Sequence, residues 1–313
     1  MRADRHQQKK TKRKKRWILF FLIIFILIVA AISYIYIQYR QGVNQSLGKV
    51  GKDKQQVEYQ FNGEKDQYGG TNILILGSDQ RGDEKARSDT MMIAQYHPEK
   101  GTYKVISIMR DIYANIPGHD KQKINAAFAF GGPELVRQTI KENFDIDLQY
   151  YMIVDFEGFV QIIDEAFPNG VEIDVEKEMS EYIDVELKPG LQRLNGQHLL
   201  GYVRFRHDAI GDFGRVQRQQ KALQALTSQF ANVQTIAKLP KLAGVLTPFV
   251  QTNMDVGDML FIGKDVIGGK QNIETMRIPV DGTYENLSVS GIGDVLDIDL
   301  DENKAAIHDF LSK

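Results

Sequence analysis

The chain of 313 residues contains no cysteine. Disulfide frameworks, thiolate metal sites and cysteine nucleophiles are thereby excluded. Histidine is scarce, at six, and scattered; no histidine metal centre is expected, and His207, beside Arg206, reads as structural. Common catalytic signatures are missing as well: there is no GxSxG elbow, no HExxH pair and no GxxxxGK(S/T) loop. Gly291-Ile292-Gly293 lacks the third glycine and the βαβ setting of a dinucleotide fingerprint. Charge is also absent where it matters. The 21 residues Trp17 to Ile37 carry none, and at ~1.5 Å rise per residue they span roughly 31 Å, the thickness of a bilayer core.

What is present begins with a charge asymmetry. Residues 1–16 hold nine Lys/Arg and one acid, a net of +8, which leaves −10 for the remainder of a chain whose total is −2. An apolar run of that length satisfies its backbone in lipid only as a helix, and Trp17 at one end with Tyr34, Tyr36 and Tyr39 at the other supply interfacial rings. The positive-inside rule then predicts a basic cytoplasmic tail (1–16), a transmembrane signal-anchor helix (17–37) and an extracellular domain on the cell membrane. The alternatives are a cleaved secretory signal, for which the run exceeds the usual 7–15 residue core, and a basic arm for nucleic acid. No nucleic-acid partner is expected. An exported domain without disulfides relies on its core, and about 240 residues are enough for one.

Residues 38–70 are rich in Gln, Lys, Gly and Asp and read as an extracytoplasmic linker or stalk. From Thr71 onward strands and helices alternate. Short apolar runs predict strands at 72–77, 91–96 and 103–108, the last two joined by a hairpin-like turn through His97-Pro98. Gly132-Pro133 opens a helix reaching Phe144. A strand is expected at 150–154, a helix at 156–167, a strand at 202–206, and the longest soluble helix from Phe213 to about Phe230 with Asp212 as its N-cap. Residues 233–265 read as interrupted helix, 274–280 as strand and 301–311 as a closing helix. This alternation predicts one three-layer α/β domain, residues 71–313, built on a mixed sheet.

Two constellations suggest chemistry. Asp79 follows the first strand and Asp89 precedes the second, so the two carboxylates can face each other. With no nitrogen or sulfur ligands nearby they suit a hard cation such as Mg²⁺; the same spacing also suits loop carboxylates that cap turns. The second constellation is arginine. Arg204 and Arg206 alternate, and Arg215 and Arg218 sit three apart at a helix start, where the macrodipole disfavours cations. Arg110-Asp111 adds a guanidinium at a strand end. As a set they suit the oxygens of a polyphosphate; taken singly they suit surface salt bridges.

The motifs ILILGSDQR, ARSDT, ISIMRDIYANIPG, KINAAFAFGG, the VDF of 154–156 and VRFRHDAIGDFGRVQRQQ, in this order behind one N-terminal anchor, resemble the LytR–CpsA–Psr family. The likeness runs from about Thr71 to Leu226. Met109, where many members carry proline, is the one departure noted. The resemblance implies an α/β/α sandwich with an apolar tunnel for a prenyl chain. It also implies a phosphotransferase moving an anionic glycopolymer, such as wall teichoic acid, from an undecaprenyl-pyrophosphate carrier to a peptidoglycan hydroxyl. By that resemblance Asp79 and Asp89 hold Mg²⁺ (or Mn²⁺). Arg87, Arg110, Lys123, Arg204, Arg206, Arg215, Arg218 and Gln219 serve the pyrophosphate, and Asn125 lies in a motif lining the same site. Asp89, Asp111 and Asp212 are the candidate bases, the catalytic set being these with Arg87 and Arg110. A prenyl-pyrophosphate phosphatase, a non-catalytic envelope lipid-binding protein and a transcriptional regulator are the competing readings.

Overall fold

The computed structural model describes residues 2–47, 59–78, 88–230, 233–268 and 273–313; Asp79 and Arg87 lie outside the described residues. Helix α1 (Arg2–Leu47) is followed by strands β1 (Thr71–Ser78), β2 (Ser88–His97) and β3 (Thr102–Ile108). Short strands β4 (Tyr113–Ala114) and β5 (Gln122–Lys123) lead into α2 (Ala126–Phe144). Next come β6 (Tyr150–Asp155), α3 (Phe156–Ala166), β7 (Val171–Val175), β8 (Gly190–Leu194), α4 (Gly196–Arg204) and α5 (Gly211–Phe230). The chain continues with α6 (Val233–Leu246), β9 (Val250–Thr252), α7 (Val256–Gly268), β10 (Glu274–Ile278), β11 (Tyr284–Val289), β12 (Gly293–Ile298) and α8 (Leu300–Ser312).

Six strands form the central sheet in the order β10-β3-β2-β1-β6-β9. It is mixed: β1 runs parallel to β6 and β3 parallel to β10, while β1–β2, β2–β3 and β6–β9 are antiparallel. Period-two alternation sorts the side chains between two faces. Leu74 and Leu76 of β1, Ile93 of β2 and Ile153 of β6 turn to one face, where they are buried with Val136, Ile140 and Phe144 of α2 and Ile307 and Leu311 of α8. The other face lies under α3, α4 and α5. A mixed sheet flanked by helices, behind one N-terminal apolar helix, is the fold.

Among the described residues one helix segment, Trp17–Leu47, is long and apolar enough to cross a membrane. The linker expected over 38–70 is corrected at both ends. Helix α1 continues through Leu47, and its last turns pack on α6. A Cβ on Gly42 would stand 2.1 Å from the Lys241 carbonyl oxygen, and one on Gly244 would stand 2.1 Å from that of Tyr39. The two helices therefore touch backbone to backbone, which only glycine permits. Ser46, buried there, donates to the Val245 carbonyl at 3.0 Å, and the Tyr39 and Thr247 hydroxyls lie 3.2 Å apart. Further on, Tyr59, Phe61 and Tyr68 pack against the main core, and Glu134 accepts hydrogen bonds from Asn62 Nδ2 at 3.3 Å and its backbone N–H at 2.9 Å. Single aromatics spaced among polar residues have no period, and this packing left no local signature.

Two other expectations change. Residues 202–204 end a helix instead of starting a strand. Asn195 caps α4 by accepting from the His198 N–H at 2.9 Å, and Leu199 and Tyr202, three apart, are buried on its inner side. Only from Phe205 does the backbone become extended. Asp212 is not the N-cap of α5 but lies in its first turn. The interruption expected within 233–265 contains the edge strand β9.

Candidate active site at the mouth of an apolar tunnel

The second face of the sheet does not close against its helices. Ile75 of β1, Met92 of β2 and Met152 and Val154 of β6 point into a cavity of 430 Å³. Its opposite wall is made by Phe159 and Ile162 of α3, Val203 of α4, Leu223 and Leu226 of α5 and Leu246 of α6. These side chains are half-buried rather than buried because they face the void. An amphipathic helix such as α3 normally presses its apolar face on a sheet; here Phe159 and Ile162 leave room for a long apolar ligand.

The lining turns polar around Asp89, Arg204, Arg206, His207, Arg215 and Gln219. Gly77, at a bulge near the end of β1, belongs to this region; a Cβ there would meet that of Thr90 at 2.9 Å. Gln219 donates to the Thr90 hydroxyl at 3.1 Å, tying α5 to β2. Arg204 lies over the Phe156 ring, 4.4 Å from its centroid, and 3.9 Å from Asp184. Arg206 has no ion-pair partner among the described residues. Tyr182 stacks on His207, whose Nδ1 is 3.0 Å from Glu181; His207, expected to be structural, sits in the lining itself.

Beside these groups lies a charged chain. Arg110 Nη1 donates to Asp89 at 2.6 Å, and its Nε is 3.4 Å from Asp111 and 3.7 Å from Asp212. Lys123 pairs with Asp111 at 2.7 Å, and Arg215 with Asp212 at 2.9 Å. Burial would depress the Arg110 pKa, but Asp212, Asp111 and Asp89 together raise it above its ordinary value. Burial raises the pKa of Asp212 even with Arg215 and Arg110 opposing it. It lowers that of Arg215, against the pull of Asp212. An arginine remains charged through any such shift, so the cluster keeps its cations.

The residues expected from sequence therefore divide. Asp89, Arg204, Arg206, Arg215 and Gln219 line the tunnel, and Arg110, Asp111 and Asp212 stand directly behind Asp89. Arg218 does not line it. It is 2 % exposed, is engaged by Asp208, stands 3.3 Å from Glu176, and lies 5.0 Å from the Phe205 ring centroid. That role pins the 205–208 segment to α5. Lys123 and Asn125 line a second cavity instead. Phe156, Tyr182 and Thr90 were not singled out as site residues: Thr90 and Phe156 lie in the ARSDT and VDF motifs without a charge to mark them, and Tyr182 lies in none.

For a metal, the donor chemistry is consistent with a hard cation. One oxygen of Asp89 is held by Arg110 and the other has no partner among the described residues. Among those residues no group of three or more His, Cys, Asp or Glu gathers for a metal.

A comparison with known proteins agrees with this geometry. The regulatory protein MsrR of Staphylococcus aureus (strain COL) is 44 % identical over 283 residues, covering 90 % of this chain and 86 % of the relative. The polyisoprenyl-teichoic acid–peptidoglycan teichoic acid transferase TagU of Oceanobacillus iheyensis is 34 % identical over 241 residues, 75 % of this chain and 73 % of TagU. The solved structure of TagT bound to LIIa-WTA superposes with a TM-score of 0.65 at 25 % identity, over 82 % of this chain and all of that one. The model of the LytR_cpsA_psr family matches residues 33–305. The chain belongs to the LytR_cpsA_psr family.

Proposed function

We propose that this protein is a membrane-anchored phosphotransferase that moves an anionic glycopolymer of the wall teichoic acid type from an undecaprenyl-pyrophosphate carrier to a sugar hydroxyl of peptidoglycan. The observation that carries this reading is the apolar tunnel with arginines in its polar lining. A ligand matching it has a long hydrocarbon tail and an anionic head, as a prenyl pyrophosphate does. TagU is named for this transfer and TagT has been solved with LIIa-WTA bound, which supports the same substrate class here.

In the reaction the acceptor hydroxyl oxygen bonds to the glycan-side phosphorus, and the bond from that phosphorus to the bridging oxygen breaks. Undecaprenyl phosphate leaves, and a phosphodiester joins glycopolymer to acceptor. Arg204, Arg206 and Arg215 would bind the phosphoryl oxygens and offset charge gathering on the leaving phosphate. The hydroxyl proton would pass to a carboxylate of the Arg110 cluster; Asp212, whose burial raises its proton affinity, suits that role. Asp89, with Asp79, would hold Mg²⁺ or Mn²⁺, which supplies further charge neutralisation on the pyrophosphate. The energy comes from the pyrophosphate linkage, so no nucleotide is required. The basic segment preceding the apolar helix would keep the N-terminus cytoplasmic and the domain outside.

The test uses the full chain in lipid nanodiscs with a prenyl-pyrophosphate glycan, peptidoglycan oligomers and Mg²⁺, followed by mass spectrometry. Phosphoglycan attached to the oligomer by the wild type, and lost in both Asp89→Ala and Arg206→Ala, supports the transferase. Release of free phosphoglycan without attachment replaces it with a hydrolase.

A further inference from the structure

A second cavity, of 290 Å³, opens beside the reaction centre, lined by Gln122, Lys123, Asn125, Ala126, Ala129 and Phe130 with Gly291 and Ile292 overhead. We infer that this cavity is the acceptor subsite and that it takes a 2-acetamido sugar of the glycan strand, an assignment that rests on the transferase reading above.

The Asn125 side chain is the central observation. Asn125 is 4 % exposed, and its buried amide oxygen has no hydrogen-bond partner among the described residues. It occupies the N-cap position of α2, yet makes no side-chain capping bond there. A buried amide left unpaired is costly and calls for a missing partner. Its acceptor oxygen and donor NH₂ complement the N–H and C=O of an acetamido group. Phe130, on the same wall, is 46 % exposed and stacks on His119 at 4.5 Å. It offers a free aromatic face against which the apolar face of a pyranose can lie.

The position fits an acceptor as well. Lys123 lines this cavity and pairs with Asp111, which adjoins Arg110, which holds Asp89 in the tunnel lining. A sugar seated by Lys123 is thus one chain of contacting charged groups from the pyrophosphate site, so it can anchor the strand while the next sugar of the same strand presents its hydroxyl at Asp89. The roof is held to the same chain. Leu296 of β12 donates its N–H to the Asp111 carbonyl at 2.8 Å and bridges Ile112, which fixes the β11–β12 hairpin whose turn carries Gly291 and Ile292.

The experiment measures binding of the N-acetylglucosamine tetramer and of its de-acetylated form to the full chain in detergent micelles. Transfer kinetics with peptidoglycan oligomers are run in parallel. Ile292→Trp fills the cavity from an exposed hairpin turn, and Asn125→Leu removes the amide; the hairpin variant keeps the test valid if the buried one fails to fold. The expected result is binding of the acetylated oligomer alone, weakened about tenfold or more by Ile292→Trp, with the acceptor KM raised and kcat at saturating acceptor held. Equal binding of both oligomers, or Ile292→Trp behaving as wild type, overturns the assignment. If the wild type transfers normally while Ile292→Trp has no effect, the subsite is wrong and the transferase stands. If the oligomer binds as expected but nothing is transferred to any acceptor, the transferase reading falls and the sugar site remains.

Discussion

Arg206 and Arg218 are both arginines of one motif, twelve residues apart, and the structure gives them opposite surroundings. Arg206 lines the tunnel without an acidic partner among the described residues. Arg206→Ala is therefore expected to cut kcat/KM for the donor by roughly 10- to 100-fold, the worth of ~1.5–3 kcal/mol for a hydrogen bond to a charged group. Stability should hardly change; steady-state transfer assays and a thermal melt check both halves. Arg218→Ala should do the reverse. It strands a buried Asp208, whose pKa burial would raise but which bonds from Arg218 and Lys177 bring below its ordinary value. Breaking such a buried pair costs about 3–5 kcal/mol, readable as a lowered denaturation midpoint. For Asp212, burial pushes the pKa above the usual carboxylate value. If it accepts the hydroxyl proton, transfer declines as pH falls through that raised pKa, and Asp212→Asn removes this acidic limb. An unaltered pH–rate profile in that variant would move the role to Asp89 or Asp111.

The elements transmit these residue roles. Helix α2 holds the segment before β1 through Glu134, which binds Asn62, Arg137 and Gln138. Burial would raise the Glu134 pKa, but the bonds from Arg137 and Asn62 and the Arg137 charge bring it down from 4.5 to about 2. A depressed carboxylate contributes stability that is complete above its unfolded pKa and is lost as pH falls through the folded one. The domain should therefore lose this contribution between pH 4.5 and about 2. Glu134→Gln should flatten that part of the stability–pH curve, as denaturant titrations at several pH values would show. On the tunnel wall, Leu226→Trp should occlude the cavity and abolish donor binding while the far-UV spectrum is retained. Most of these elements were legible. β1, β2 and β3 announce themselves by apolar runs with turn residues between, α3 by its 3.6-residue period, and α8 reads as a closing helix two residues after the Asp299 that caps it in the structure. Helix α4 was not legible at its end, because Val203-Arg204-Phe205-Arg206 alternates as a strand does while the cap that decides it, Asn195, lies eight residues earlier. The hairpin β11–β12 carries mostly exposed side chains and a weak pattern.

Over the whole molecule, the membrane helix and the tunnel are mechanically joined. Helix α1 crosses α6 at Gly42 and Gly244. Leu246 on α6 lines the tunnel, and its neighbour Thr247 meets Tyr39 of α1. Lys241 and Gln45 both bond Glu165 of α3, whose Phe159 and Ile162 form tunnel wall. For the membrane-anchored transferase proposed above, this contact would set where the tunnel lies relative to the bilayer holding the donor. Gly42→Leu should force the helices apart. Transfer from a long-chain donor embedded in nanodiscs is then expected to fall on the order of tenfold, since small misplacements are costly to a positioned reaction. Transfer from a short-chain soluble donor should be preserved. An equal loss on both donors would place the defect in the domain itself.

Some of this was determined by local sequence alone. Twenty-one uncharged residues behind a basic segment predict one N-terminal helix long and apolar enough to cross a membrane, because unpaired backbone groups are too costly in hydrocarbon. The ordered motifs from Thr71 to Leu226 likewise announced the family and most of the charged residues at the site. Tertiary structure alone decided which of those charges act together. Asp89 on β2, Arg110 beyond β3, Arg206 beyond α4 and Arg215 on α5 meet because the sheet order and the helix layer bring four separate segments to one place. It also decided that Arg218 turns away, that Gly42 docks on Gly244, and that Asn125 and Phe130 share a cavity with a hairpin some 160 residues later. Local periodicity records which face of an element is apolar; it holds no information about which distant element that face, or a charge at its end, will meet.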